Sequence, residues 1–204
     1  STALGTKNLL VSGDVHGLAE QFIEAHLGHG VIAPGFAGAS GDIDPWFRVL
    51  PEFKTTNGWI PEPVLLGAML GEEVVHTAGG IRQATTNGPV NSILKTVALP
   101  PKLDRVPSDY SSTAITITVA RVGDVALVGL SAEVFHELGR AIKAASPFPH
   151  TLVITHCNGG SGYLVAKSAY SEGGYEVNTS PFAPEAADLV VKEVADLLRQ
   201  LKAK

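Results

Sequence analysis

Residues 114–154 read AITITVARVGDVALVGLSAEVFHELGRAIKAASPFPHTLVI, and their periodicities decide the fold class. Apolar and threonine positions alternate through 114–120, as in a half-buried strand. Gly123-Asp124 is a turn pair, and 125–130 (VALVGL) returns, so the two runs predict an antiparallel hairpin. Residues 133–145 then place Val134, Leu138, Ala141 and Ile142 on one helical face, with Ser131 positioned as an N-cap and Glu133 in the first turn. The apolar run Leu152-Val153-Ile154 is a further strand, reached through that helix. A hairpin followed by a helical crossover predicts an α/β protein with mixed β-sheets flanked by helices.

Upstream, residues 8–12 (NLLVS) and 31–36 are apolar runs consistent with buried strands, and 17–27 carries Leu18, Phe22 and Ala25 at helical spacing before Gly28 and Gly30. Together they predict a strand, helix, strand unit. The stretch 51–63 reads as irregular. A helix is expected over 64–77, with Pro63 at its start and Gly79-Gly80 at its end. A strand is expected over 92–99 and a rigid connection over 100–107. Residues 185–204 close the chain as a helix whose Ala187, Val190, Val191, Val194, Leu197, Leu198 and Leu201 form one apolar stripe for the sheet. No repeat or linker divides the chain, so a single domain is expected over 1–204.

Composition narrows the function classes. At 204 residues and 45% hydrophobic content the chain is long enough to bury its own core. The formal charge of -5 is spread without a basic run, which argues against a nucleic acid or an anionic membrane surface as partner. One cysteine, Cys157, excludes an internal disulfide and a cysteine-rich zinc module. No apolar run is long enough to cross a bilayer. The sequence starts at Ser1 without a methionine, with a strand expected within eight residues, so cleavage from a longer precursor or an artificially trimmed end is expected.

Two loops concentrate site chemistry. The strand ending at Ile154 runs into Cys157-Asn158-Gly159-Gly160-Ser161-Gly162 and Tyr163, and a second glycine pair precedes Tyr175 and Glu176. Polar groups at the carboxyl end of a buried strand, on backbone that bends sharply, suit ligand approach; a tight turn explains the same glycines. The loop 38–46 holds Ser40, Asp42 and Asp44. Those carboxylates suit a cation, a histidine ligand or a substrate hydroxyl, and equally suit turn formation through their own backbone. Asp14 carries the same pair of readings. His76, His136 and His150 read as surface or packing residues.

Four segments in order, VSGDVHG, GFAGASGDIDP, LVGLSAEVFHELGRAI and NGGSGYL followed by EGGYEV, resemble the catalytic domain of neutral, or alkaline non-lysosomal, ceramidases. The resemblance covers nearly the whole chain and, by length, the C-terminal half of that domain. It implies two sheets packed face to face with helices outside, and a zinc-dependent amidohydrolase in which two histidines, a glutamate and a tyrosine hold the metal while zinc-bound water attacks an N-acyl bond. Carried over by position, Glu133 is the glutamate ligand and Tyr163 the tyrosine ligand. A carboxylate oxygen suits zinc directly, and a phenol needs the cation to bind as phenolate.

The family's histidines lie upstream of VSGD, so the resemblance implies an N-terminal fragment of the same precursor that carries them. In the family's Gly-Asp-Val loop a serine follows, and here Asp44 replaces it, so the substrate class is a small-molecule or lipid acyl compound with no assignment to ceramide. Asp42 and Asp44 line the expected catalytic pocket, with Asp14, Ser40, Asn158, Gly160 and Glu176 as substrate-binding candidates. The resemblance also implies export, periplasmic or secreted, and leaves room for a homo-oligomer. Two alternatives remain open from the residues. If self-cleavage exposed Ser1, its hydroxyl beside the α-amine would make an N-terminal nucleophile hydrolase without metal. A non-catalytic binding module on the same fold is the other.

Overall fold

The structure, a computed structural model, describes residues 3–4, 9–45, 62–84, 87–103 and 113–204. Ser1, the irregular stretch through 51–61 and the connection 104–107 lie outside the described residues. The chain gathers into two compact units, residues 1–36 with 44–85 and residues 37–43 with 86–204. Sequence offers no linker as a boundary because the chain enters the second unit for seven residues, 37–43, and leaves it again.

The first unit is built on two helices, α1 (Asp14–Leu27) and α2 (Glu62–Gly80). Helix α1 stops at Gly28, whose φ of 61° takes the left-handed conformation that glycine reaches without strain. Pro63 occupies the second position of α2, where its missing N–H costs nothing. Gly67 and Gly71 are buried where α2 meets α1: a Cβ on Gly67 would come within 2.6 Å of the Leu18 Cβ, and one on Gly71 within 2.7 Å of Phe22. The absence of side chains there lets the helices approach.

The strands expected over 8–12 and 31–36 do not form among the described residues, so the strand, helix, strand unit is corrected to a helix pair. Leu9 and Val11 are 93% and 106% exposed, and Ile32 and Phe36 are exposed as well. Apolar composition marks residues fit for a sheet, but a strand also needs a partner ladder, and no described strand pairs with these runs.

The second unit carries the sheet. Strands β1 (Val90–Ala98), β2 (Ala114–Val122), β3 (Val125–Leu130) and β5 (His150–Ile154) stand in the order β1-β2-β3-β5, and the short β4 (Glu133–Val134) pairs with β6 (Tyr163–Leu164) apart from them. The β1–β2 and β2–β3 ladders are antiparallel and β3–β5 is parallel, so the mixed sheet expected from the hairpin and crossover is observed. Alternation along β2 buries Ile115, Ile117 and Val119 on one face, and β3 adds Val128 and Leu130.

Helices α3 (His136–Ala145), the short α4 (Tyr175–Thr179) and α5 (Ala186–Lys202) come in that order; α3 and α5 cover that face, and α5 lies on β1, β2 and α3. The expected stripe is what α5 buries: Ala187, Val190, Val194, Leu197, Leu198 and Leu201 are in the core, and Val191 packs at its edge. The chain is thus an α/β protein with a mixed sheet flanked by helices.

One boundary differs from the sequence reading. Helix α3 begins at His136, not Glu133, because Glu133 and Val134 are drawn into the parallel pair with Tyr163 and Leu164. Ser131 accordingly does not cap it. Its hydroxyl accepts the Thr116 N–H at 2.8 Å and bonds the Ser161 hydroxyl at 2.9 Å, fastening the loop before β6 to the sheet.

Candidate functional site

Three local constraints position Glu133 and Tyr163. Chain direction is fixed on both sides of the short pair: the Glu133 N–H donates to the Gly162 carbonyl at 2.9 Å and the Phe135 N–H to the Leu164 carbonyl at 3.1 Å. The Val134 and Leu164 side chains are buried in the core, which leaves the alternate positions, Glu133 and Tyr163, directly opposite each other on the other face. The Tyr163 carbonyl is held from behind by the fully buried Ser180 hydroxyl at 2.9 Å.

The result is a carboxylate set beside a phenol. Burial pushes the Tyr163 hydroxyl up to about 12, and the hydrogen bond to Glu133 together with the charges of Glu133, Tyr175 and Glu176 acts in the same direction. The ring of Tyr175 stands edge-on to that of Tyr163 with centroids 6.0 Å apart. Tyr175 was not among the candidates from the sequence, although it sits inside the EGGYEV segment that drew attention to Glu176.

The loop leading into β6 bends where the glycines implied. His156 and Asn158, with φ of 55° and 61°, and Gly159 and Gly162 all take positive φ. Two non-glycine residues held there mark a loop whose shape is imposed by its surroundings. Asn158 donates through Nδ2 to the Thr118 hydroxyl at 2.8 Å, and Gly160 is exposed with open space around it.

The segment 37–43 lies against the same strand pair. The Gly41 N–H donates to the Val134 carbonyl at 2.8 Å, and a Cβ on Gly41 would meet the Glu133 carbonyl oxygen at 3.0 Å. Thr155 holds the other end through the carbonyls of Ala37 and Gly38. Ser40 contributes its carbonyl to the turn, accepting the Ile43 N–H. Asp42 accepts the His136 N–H on Oδ1 at 2.7 Å and contacts His136 Nδ1 through Oδ2 at 2.5 Å. Sequence reasoning missed His136 because its partner is 94 positions away.

Asp14 and Asp44 belong to the first unit. Asp14 is 6% exposed, and its carboxylate accepts the N–H groups of Ala3, Leu4 and Val15 at 2.7 to 2.9 Å, which ties the start of the chain to α1. Asp44 is exposed. Among the described residues, no three His, Cys, Asp or Glu side chains gather closely enough to hold a metal ion, and no helix is long and apolar enough to cross a membrane. Glu133 and Tyr163 supply two oxygen donors of a kind zinc accepts.

No protein-family model and no curated protein matches the sequence. Solved structures do. The neutral ceramidase from Pseudomonas aeruginosa aligns with a TM-score of 0.75 at 16% identity, over 98% of this chain and 42% of that one. A ceramidase complexed with C2 aligns with a TM-score of 0.66, also at 16% identity, over 98% of this chain and 44% of that one. The chain therefore has the fold of a part, less than half by length, of the neutral ceramidases.

Proposed function

We propose that this chain contributes two oxygen ligands, Glu133 and Tyr163, to a zinc-dependent hydrolase of an amide (N-acyl) or related acyl bond, and that an N-terminal portion of the same precursor brings the histidines. The observation that carries the reading is the parallel β4–β6 pair, which puts the Glu133 carboxylate against the Tyr163 hydroxyl. The donor set fits a divalent cation. A phenol beside a carboxylate can give up its proton to a bound cation, which then meets two anionic oxygens. When bound, zinc supplies a Lewis acid that polarises the acyl carbonyl.

The chain's own residues do the rest of the work in this reading. Glu133 and Tyr163 are fixed by strand pairing, so no side-chain search precedes metal capture. Tyr175, edge-on to Tyr163, and Glu176, close enough to raise its pKa, flank the site as substrate contacts. The left-handed backbone of the 156–162 loop presents Asn158 and Gly160 to a substrate. Ceramidase-like fold supports an N-acyl substrate, either a lipid or a small molecule. Export to the periplasm or the medium belongs to the same reading. So does the partner portion, which the apolar surface exposed by Leu9, Leu10, Val11, Ile32 and Phe36 is suited to meet.

Elemental mass spectrometry on natively purified protein, with intact masses from the same sample, tests this. About one equivalent of zinc is expected, with retention falling at least tenfold in Glu133→Gln and Tyr163→Phe. A preparation that contains the histidine-bearing portion and holds no zinc would overturn it.

A further inference from the structure

Asp42 and His136 form a dyad that the hydrolase reading leaves unused. One carboxylate serves two purposes. Oδ1 accepts the backbone N–H of His136, the first residue of α3, and Oδ2 accepts from Nδ1 of the same imidazole at 2.5 Å. Since Nδ1 donates to a carboxylate, the neutral ring carries its lone pair on Nε2. The imidazole is 52% exposed, whereas the Asp42 side chain is 21% exposed. Among the described residues Nε2 has no hydrogen-bond partner, and the neighbouring carboxylate of Glu137 is engaged by the Ser168 hydroxyl at 3.2 Å.

The dyad is a built feature. Gly41 anchors the Asp42 loop to the β4 backbone, and a Cβ on Gly139 would fall 2.5 Å from the Ala39 Cβ, so loop and helix are packed without slack. Gly41 bonds the strand that carries Glu133, and His136 is three positions on from Glu133, a tether of at most about 10 Å. The dyad and Glu133 are not gathered into one cluster able to hold a metal.

We propose that His136, oriented by Asp42, is a catalytic acid–base residue that acts on the leaving nitrogen of the N-acyl substrate. The inference rests on the hydrolase reading. Nε2 takes a proton from the attacking water as its oxygen bonds the acyl carbon and the carbonyl electron pair moves to oxygen. The imidazolium, stabilised by the Asp42 carboxylate, returns that proton to the amide nitrogen as the carbonyl re-forms and the C–N bond breaks. An amine and a carboxylic acid leave, and the dyad is restored.

The test compares leaving groups in the intact protein. N-lauroyl ethanolamide needs its nitrogen protonated, whereas p-nitrophenyl laurate loses an anion that leaves unaided. In His136→Gln, kcat for the amide is expected to fall at least about 10²-fold further than kcat for the ester, which loses only the proton transfer of the attack step, with KM little changed for either. Added imidazole should restore part of the amide rate in His136→Gly. Asp42→Asn keeps an oxygen for the His136 N–H and should show the same amide-selective loss, which serves if the histidine variants fail to fold. Equal losses on both substrates, or an unchanged amide rate with zinc retained, would overturn the dyad's role alone. A wild-type protein without zinc and without activity on either substrate overturns the hydrolase reading and the dyad's role with it.

Discussion

The two compact units spend their apolar residues differently. The sheet-bearing unit turns alternation into a core in which Ile115, Ile117, Leu130, Phe182, Leu198 and Leu201 are fully buried. The helical unit buries Ala19 and Ile23, sets Gly67 and Gly71 against Leu18 and Phe22, and leaves Val64, Leu65, Met69, Leu70 and Val74 of α2 exposed to varying degrees. One unit is stabilised by side chains filling space, the other by backbones brought close where side chains are missing. The site is built on the first kind, and the difference teaches why: a carboxylate and a phenol can be held in register only by elements whose own packing is fixed.

The largest expected effect follows from that core. Phe182 is the largest of its fully buried side chains, so Phe182→Ala should cost about 3–5 kcal/mol and show as a loss of chemical denaturation midpoint with m unchanged. A cost below about 1 kcal/mol would remove the distinction between the units.

The helical unit should respond in the opposite sense, to added volume. Gly67→Ala gains about 1 kcal/mol of helix propensity, but its Cβ would sit 2.6 Å from that of Leu18. Overpacking of that kind typically costs about 1–3 kcal/mol, so a net loss is expected, read as faster amide exchange in α1 and α2. Stabilisation would show that the helices can separate freely and that the close approach is incidental.

Ser131→Ala sharpens the comparison at the site. The variant removes the acceptor of the part-buried Thr116 N–H and the partner of Ser161, at a cost of about 1 kcal/mol. Because those bonds fasten the loop before β6, zinc retention should weaken with stability. A stable variant with normal zinc would detach the loop from the site.

How much of this was legible in the sequence depended on range. The β2–β3 hairpin and the α5 stripe follow from periods of 2 and 3.6 read over a few turns, and both stand where the pattern put them. The start of α3 did not. Ser131 and Glu133 have the chemistry of a cap and a first-turn acid, yet their bonds go to Thr116, Ser161 and Tyr163, partners no local pattern reveals. The apolar runs at 8–12 and 31–36 mark strand composition without strand partners. At the site, family resemblance singled out Glu133 and Tyr163, since their residue types alone left a dipole-stabilised acid and a turn-flanking aromatic. His136 read as an ordinary surface histidine because Asp42, 94 positions earlier, makes it a dyad.

The smallest expected effect is silent at neutral pH. Tyr163 ionises near 10 when the chain is unfolded and near 12 when folded, chiefly because burial disfavours the phenolate and next because Glu133 holds the proton. Below pH 10 both states are protonated and the difference contributes its full stabilising share. Between pH 10 and 12 the unfolded chain releases the proton first, so stability falls as pH rises through that window. Tyr163→Phe should flatten this part of the profile, and Glu133→Gln should lower the folded phenol's pKa, so that the loss still starts near pH 10 but ends sooner and is smaller. In ultraviolet titration, zinc should make the Tyr163 phenolate appear at lower pH, since a cation reverses the sign of the field that Glu133 supplies. A Tyr163 signal that zinc leaves unmoved in the intact protein would separate the pair from the metal, leaving Glu133 and Tyr163 as a structural hydrogen bond within the better-packed unit.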